Sequence, residues 1–480
     1  MSTSANERDP LLPRLAYVDA RKKPNFSWLL PVLLMASISR GIFMFARFEN
    51  HQKTFCPYSA YPCGYFSIWL ELPSLTVMIQ IWGAWASFLV SFMTVGRWSD
   101  LGDRRGRKFP LLLSVTGSVL INLIYLIVSN ARPSQDDARD LISIGLILEG
   151  LFGGFATYNG TVHAYAWDVA STPVSRLVLF GIIQGLSFVG FILGSAIGRA
   201  TDYNISYVLS FSIALLNLTF VYFILPESLE HPDATRLPHS SVFVSIFSPI
   251  TIIFSGASGS GAGSSKKYLP FLGLAFFMYS LTQAMQTTLL RFTLWSQYLQ
   301  GLPRWLVLVT PRIFELLTLL CILPCLAHFW KRKHGTAEHA GLHLSAFVSR
   351  NSILLATVSS TVILVFCMPE NAKALYAIFA PLYSFSVAAG PALYALGGAY
   401  FVVLGRGNQI GSLFGALAVW RELALYLSYT MYGPGSSSIF WLTAFFLILS
   451  LLFLLPDAPS AENAEEVGVA QHDTTGPVEA

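Results

Sequence analysis

Charge is what this chain most lacks. Only 12% of its 480 residues are Asp, Glu, Lys or Arg, about half the share of an ordinary soluble domain, while 54% are hydrophobic. That composition excludes a soluble globular protein. The formal net charge of +4 is too small to argue for a polyanionic partner, and the basic residues cluster in short connectors, so nucleic acid is not expected. Cysteine is scarce as well: five residues make neither a disulfide framework nor a zinc pattern. The Ser/Gly-rich stretch Ser255–Ser265 lacks the Gly-x-x-x-x-Gly-Lys-Ser/Thr spacing of a phosphate loop, and no nucleophile elbow or histidine cluster occurs. Enzyme chemistry, direct ATP drive, a cofactor and a metal are therefore not expected. Nor is a cleavable leader, because about two dozen polar, charged residues precede the first apolar run.

What the chain has is apolar runs of membrane length. They fall at about 27–47, 73–95, 109–129, 141–163, 176–198, 205–225, 269–291, 304–328, 350–368, 374–398, 409–432 and 437–455. The pattern predicts an all-α membrane protein with twelve transmembrane helices in two pseudo-symmetric six-helix halves. The divisions are a cytosolic tail over 1–25, a first half over 26–229, a linker over 230–268, a second half over 269–456 and a cytosolic tail over 457–480. Within the linker, 241–254 is apolar but too short to span, so it is placed at the membrane interface.

The basic residues orient these spans. Arg21-Lys22-Lys23, Arg104, Arg105, Arg107, Lys108, Lys266-Lys267 and Lys331-Arg332-Lys333 fall on one side, and the opposite loops hold few such residues. Loops dense in Arg and Lys stay in the cytosol. Lys331-Arg332-Lys333 occupies the place in the second half that Gly96–Lys108 occupies in the first, which is what two homologous halves give.

Gly96–Lys108 reads G-R-W-S-D-L-G-D-R-R-G-R-K. Its Gly-x-x-x-Asp opening (Gly96, Asp100) and Asp-Arg-x-Gly-Arg-Lys close (Asp103, Arg104, Gly106, Arg107, Lys108) resemble the loop between the second and third helices of major facilitator superfamily transporters. The three residues Leu101-Gly102-Asp103 look like an insertion, because the usual form uses one aspartate. The run from Asp168 to Arg176 resembles the link after the fourth helix of that family. With Trp98-Ser99-Asp100 and Pro226-Glu227-Ser228-Leu229, it is similar to the fungal branch near proton-coupled folate and tetracycline-resistance-like members. The resemblance implies that one aspartate, Asp100 or Asp103, caps a helix of the opposite half. It also implies that loop arginines pair with carboxylates such as Asp168, holding one access state closed.

Gly181, Gly190, Gly194 and Gly198 have the spacing of the glycine motif associated with antiporters in that family, with Ser195 where the motif has proline. Small residues let membrane helices approach closely, so ordinary packing explains the stripe equally well. Leu146 stands where drug exporters carry arginine.

An ionisable residue deep in a membrane helix is a functional candidate by default. Arg40 and Glu149 lie at similar depths, roughly 20 Å from one face and roughly 12 Å from the other at 1.5 Å per residue. They are expected to pair, with Glu149 exchanging a proton. Arg312 and Glu315, three apart on one helical face, and Glu422, beside Arg421, are further pathway candidates, and His163 is read as a core histidine. Cys56 and Cys63 are placed on the non-cytosolic side, where a disulfide can persist. Glu7, Leu11 and Leu12 resemble an acidic dileucine signal read by sorting adaptors at vacuoles or lysosomes.

The expected function is secondary transport of a small organic solute by alternating access in a lipid bilayer, coupled to protons, by a monomer. Export or vacuolar sequestration is favoured over proton-coupled uptake, with the plasma membrane as the other location. A non-transporting sensor or scaffold on the same fold is the rival from a different class.

Overall fold

A backbone in hydrocarbon must satisfy its own N–H and C=O groups, and a helix does so within one segment. The computed structural model describes residues 24–55, 75–131, 133–229, 242–254, 265–295, 304–335, 338–366, 379, 381–431 and 438–454. Among the described residues the regular elements are all helical. Eight helical stretches of the described residues are long and apolar enough to cross a bilayer, and Trp441–Phe453 is a shorter apolar helix.

The first group of helices is α1 (Leu29–Phe55), α2 (Leu75–Arg105), α3 (Lys108–Ala131), α4 (Gln135–Leu151), α5 (Gly154–Val169), α6 (Pro173–Ala200) and α7 (Tyr203–Phe223). There follow α8 (Val242–Phe254), α9 (Ser265–Trp295), α10 (Arg304–Leu317), a π-helical turn (Thr318–Ile322) and α11 (Leu323–His334). The chain closes with α12 (Glu338–Phe366), α13 (Ala389–Val403), α14 (Ile410–Met431) and α15 (Ser438–Phe453). Helix α1 packs on α6 and α7, α3 on α4 and α7, α9 on α14 and α15, and α12 on α13 and α15. Helix α14 crosses to α2 and α5, and α13 crosses to α6.

Three sequence expectations change. The basic connector is mostly helix: α2 runs on through Asp103 to Arg105, leaving Gly106 and Arg107 as the turn. Only that turn needs special backbone geometry, and Gly106 supplies it with φ +114°. The fourth apolar run is longer than 141–163 and broken. Helix α4 ends at Leu151, Gly153 takes φ +88°, and α5 continues to Val169. The helix carrying Lys331-Arg332-Lys333 keeps those residues in its last turn, where cations complement the helix dipole. Helix α8 packs against α2, α14 and α9. Ile253 is buried against Gly273 of α9, and Trp420 donates its indole N–H to the Pro249 carbonyl at 3.1 Å.

Cys56, Cys63, Glu7, Leu11 and Leu12 lie outside the described residues.

Candidate functional site

At the end of the bundle carrying the α2–α3 turn, one aspartate joins distant parts of the chain. Asp103 accepts the backbone N–H groups of Gly411 and Ser412 at 2.8 and 2.9 Å and the Ser412 hydroxyl at 2.7 Å. It therefore sits on the free N–H groups that open α14, where the helix dipole also favours negative charge. Asp103 also pairs with Arg107, whose Nε donates to Asp168 Oδ2 at 2.9 Å. Burial alone would lower the Arg107 guanidinium. The Asp103 and Asp168 carboxylates outweigh it and hold Arg107 above its ordinary value. Glu227 takes the other side of the turn, accepting the backbone N–H of Arg107 at 2.7 Å and of Lys108 at 3.1 Å. A side chain at Gly106 would collide with that carboxylate. Asp100 makes a different contact, pairing with Arg104 on its own helix at 2.8 Å. Arg176 lies with Cζ 3.8 Å over the Trp167 ring, at the start of α6, where Thr172 and Ser175 form a capping box.

Next to this latch is a buried aromatic layer. His163 stacks on Tyr394 at 4.2 Å between ring centroids and gives Nδ1 to the Asn159 carbonyl at 2.7 Å. Phe180 and Phe414 meet edge-on at 5.5 Å, and Phe276 packs on Tyr394 at 4.9 Å. Trp167 fills the space left open by Gly398 of α13. Helices α5, α6, α9, α13 and α14 thus meet through aromatic rings, and His163 is part of that core.

The central charged group is larger than the pair read from sequence. The Arg40 guanidinium lies 3.6 Å over the Phe155 ring. Glu149, Glu422, Tyr158 and Tyr426 all act electrostatically on it. No carboxylate of the described residues comes within 4.0 Å of Arg40, so the simple Arg40–Glu149 ion pair is not formed. The reason is geometric. Phe155, just past the break between α4 and α5, occupies the guanidinium face, and the Glu422 carboxylate of α14 acts on the same arginine. One Glu422 oxygen, buried, has no hydrogen-bond partner.

On α10, Arg312 Nη1 donates to both Glu315 carboxylate oxygens, at 3.0 and 2.8 Å, with Arg312 Cζ 5.5 Å from the Phe188 ring of α6. The π turn follows them. Gly181 of α6 meets Leu323 and Leu319 there, whereas Gly190, Gly194 and Gly198 face α1 at Ser37, Ile38 and Ile42. The four glycines therefore serve two different helix contacts.

Arg421 is the residue that sequence reasoning passed over. It adjoins Glu422, but consecutive helical positions point about 100° apart. Its charge acts on Tyr394, Tyr279 and His163 and on Glu422, which Arg40 influences more strongly. Among the described residues no carboxylate lies within 4.0 Å of Arg421. The signal available in sequence was simply a second charge in an apolar run, which we read as a neighbour of Glu422.

No family model matches the chain. A transporter of Aspergillus versicolor, the MFS-type transporter avaJ, is 27% identical over 257 residues, 48% of this chain and 49% of that protein. The lysosomal proton-coupled steroid conjugate and bile acid symporter SLC46A3 of Bos taurus is 28% identical over 168 residues, 33% of this chain and 34% of that one. The chain thus spans half or less of the curated relatives it matches. The human organic anion transporter MFSD10 (TETRAN) superposes with a TM-score of 0.62 at 17% identity, covering 89% of this chain and 98% of that structure. These relatives and neighbours are transporters, and none indicates a catalytic family. The chain has the major facilitator fold, and the names of its sequence relatives support membership of that transporter family.

Proposed function

We propose that the protein is a secondary active transporter of a small organic solute, working by alternating access and coupled to protons. The twelve-span, two-half arrangement read from sequence is part of this proposal, with the divisions at 1–25, 26–229, 230–268, 269–456 and 457–480. The carrying observation is one arginine, Arg40, shared without direct contact by Glu149 and Glu422 from distant parts of the chain. Two carboxylates in a low-dielectric site are costly to keep charged together, and a proton on one of them relieves that cost. Movement between the two groups of helices separates Glu422 from Arg40 and Glu149, so the site's proton affinity changes with access state. In this reading Glu149 and Glu422 carry the proton, and Arg40 selects which carboxylate is charged.

Asp103 acts as the gating aspartate, with Arg107 and Asp168 holding the cytosolic side closed. Arg421, facing tyrosines with no carboxylate partner, fits an acidic group on the solute. The similarity to a bovine steroid conjugate and bile acid symporter and to a human organic anion transporter agrees with an acidic solute. Export or sequestration by antiport remains the preferred direction, on the glycine spacing. Uptake by symport is the second reading, favoured by the bovine protein's description as a symporter. A vacuolar or lysosomal membrane, a monomeric state and an adaptor at Glu7, Leu11 and Leu12 complete the proposal.

The test is flux in proteoliposomes under an imposed pH gradient, using an amphipathic acid, alcohol and amine built on one apolar body. Gradient-driven movement of the acid alone supports the reading, and its sign fixes the direction. Identical passive leakage of all three would reject it.

A further inference from the structure

The break between α4 and α5 lies next to Glu149, and α2 supplies the hydrogen bonds that hold it. Thr94 donates its hydroxyl to the Gly150 carbonyl at 2.9 Å. Trp98 donates its indole N–H to the Leu151 carbonyl at 3.0 Å, and Ser91 donates to the Gly153 carbonyl at 2.9 Å. These three residues sit at i, i+3 and i+7, one face of a helix. The Gly150 and Gly153 carbonyls also accept the backbone N–H groups of Gly153 and Thr157, so Thr94 and Ser91 add second bonds there, while Trp98 pairs the Leu151 carbonyl at the end of α4, where an unpaired backbone group in a membrane costs several kcal/mol. Gly150 lets this happen by bringing α4 against the α2 backbone, with Ser87 and Ser91 as its neighbours.

The same helix carries the latch. From Thr94, α2 continues without interruption to Asp103, about 14 Å away at 1.5 Å per residue. A continuous helix transmits displacement along its length, whereas Gly153, at φ +88°, lets α5 turn independently of α4. We propose that Ser91, Thr94 and Trp98 are positioning residues for Glu149, making α2 a rod that links the Asp103 latch to the proton site. The inference rests on the reading of Glu149 as that site.

The groups facing Glu149 bound what else can move its titration. They are Arg40 and Arg47 of α1, Tyr125 of α3, and Glu422 and Tyr426 of α14. Ser91, Thr94 and Trp98 bring no charge, so an effect of replacing them reaches Glu149 through position.

The experiment is an infrared pH titration of the full chain in lipid, reading the protonated-carboxyl band that Glu149→Gln removes. No solute is needed. Thr94→Val and Trp98→Phe keep side-chain volume and lose the donor. Each should displace the midpoint of that band by about half a pH unit or more, roughly a threefold change in proton affinity. Thr219→Val removes a hydroxyl that bonds only within α7, to Leu215, and should leave the midpoint in place. Asp103→Asn should move the midpoint too, and by less when Thr94→Val and Trp98→Phe are also present. Unchanged midpoints in the α2 variants, or an undiminished Asp103→Asn effect in their presence, overturn the inference and leave the proton site standing. A titration in which Glu149→Gln removes no band overturns both.

Discussion

Asp103 holds Ser412 by two bonds at once, accepting its backbone N–H at 2.9 Å and its hydroxyl at 2.7 Å, across more than three hundred residues of chain. Hydrogen bonds to a charged group contribute about 1.5–3 kcal/mol each, so the aspartate biases the bundle towards the state with this end closed. Asp103→Asn should open it. Labelling of an Ile410→Cys reporter, buried at the start of α14, would then rise at least tenfold in rate, measured by thiol-reactive dye. Asp100→Asn should leave the rate within twofold, because Asp100 pairs within its own helix at a position 44% exposed. Equal effects of the two substitutions would contradict the assignment.

The glycine stripe separates into positions with different tolerance. A methyl group at Gly194 would strike the Ile38 carbonyl, which is backbone and cannot step aside. At Gly181 the first obstacle is the end of the Leu323 side chain. Gly194→Ala should lower stability by about 1–3 kcal/mol, the usual penalty of overpacking, and Gly181→Ala by less. Thermal unfolding in detergent reads the order, and a more damaging Gly181→Ala would refute the packing argument.

Arg421 should decide the charge preference of the solute site. Arg421→Gln is expected to remove the preference for an acid over the matching alcohol, a loss of about tenfold if one charge-assisted contact of about 1.4 kcal/mol is lost. Arg421→Lys should keep part of it, since the ammonium retains charge but not the planar fork. Equilibrium binding of a fluorescent acid and alcohol sharing one ring system measures both. An acid preference that survives Arg421→Gln places the recognition elsewhere.

The turn at Gly106–Arg107 was legible because the residues that build it are charged, small and contiguous. Sequence could not choose between Asp100 and Asp103, because the choice depends on where the α2 register meets α14. Helix α2 runs further than the apolar pattern suggests, and that length brings Asp103 to Gly411. The break at Gly153 was hidden for a related reason. Apolar runs at 141–163 look the same whether continuous or interrupted, and the side chains that brace the break, Ser91, Thr94 and Trp98, lie on another helix. Arg40 and Glu149 were found by depth alone. Depth gives height along the membrane normal but not rotation about the helix axis. Phe155 could therefore take the arginine's face, and Glu422 share its charge, without any trace in the pattern. The apolar content of 241–254 was visible, but the place of α8 against Pro249's partner Trp420 required the tertiary contact.

Glu149 and Glu422, beside Arg40, are the proposed carriers of the coupling proton. The decisive measurement is proton-gradient-driven flux of an amphipathic acid in proteoliposomes, with Glu149→Gln and Glu422→Gln beside the wild type. The wild type should accumulate the acid against its gradient. Each variant should lose accumulation yet still exchange labelled for unlabelled acid. Accumulation by both variants at the wild-type level and with the wild-type pH dependence would contradict that role.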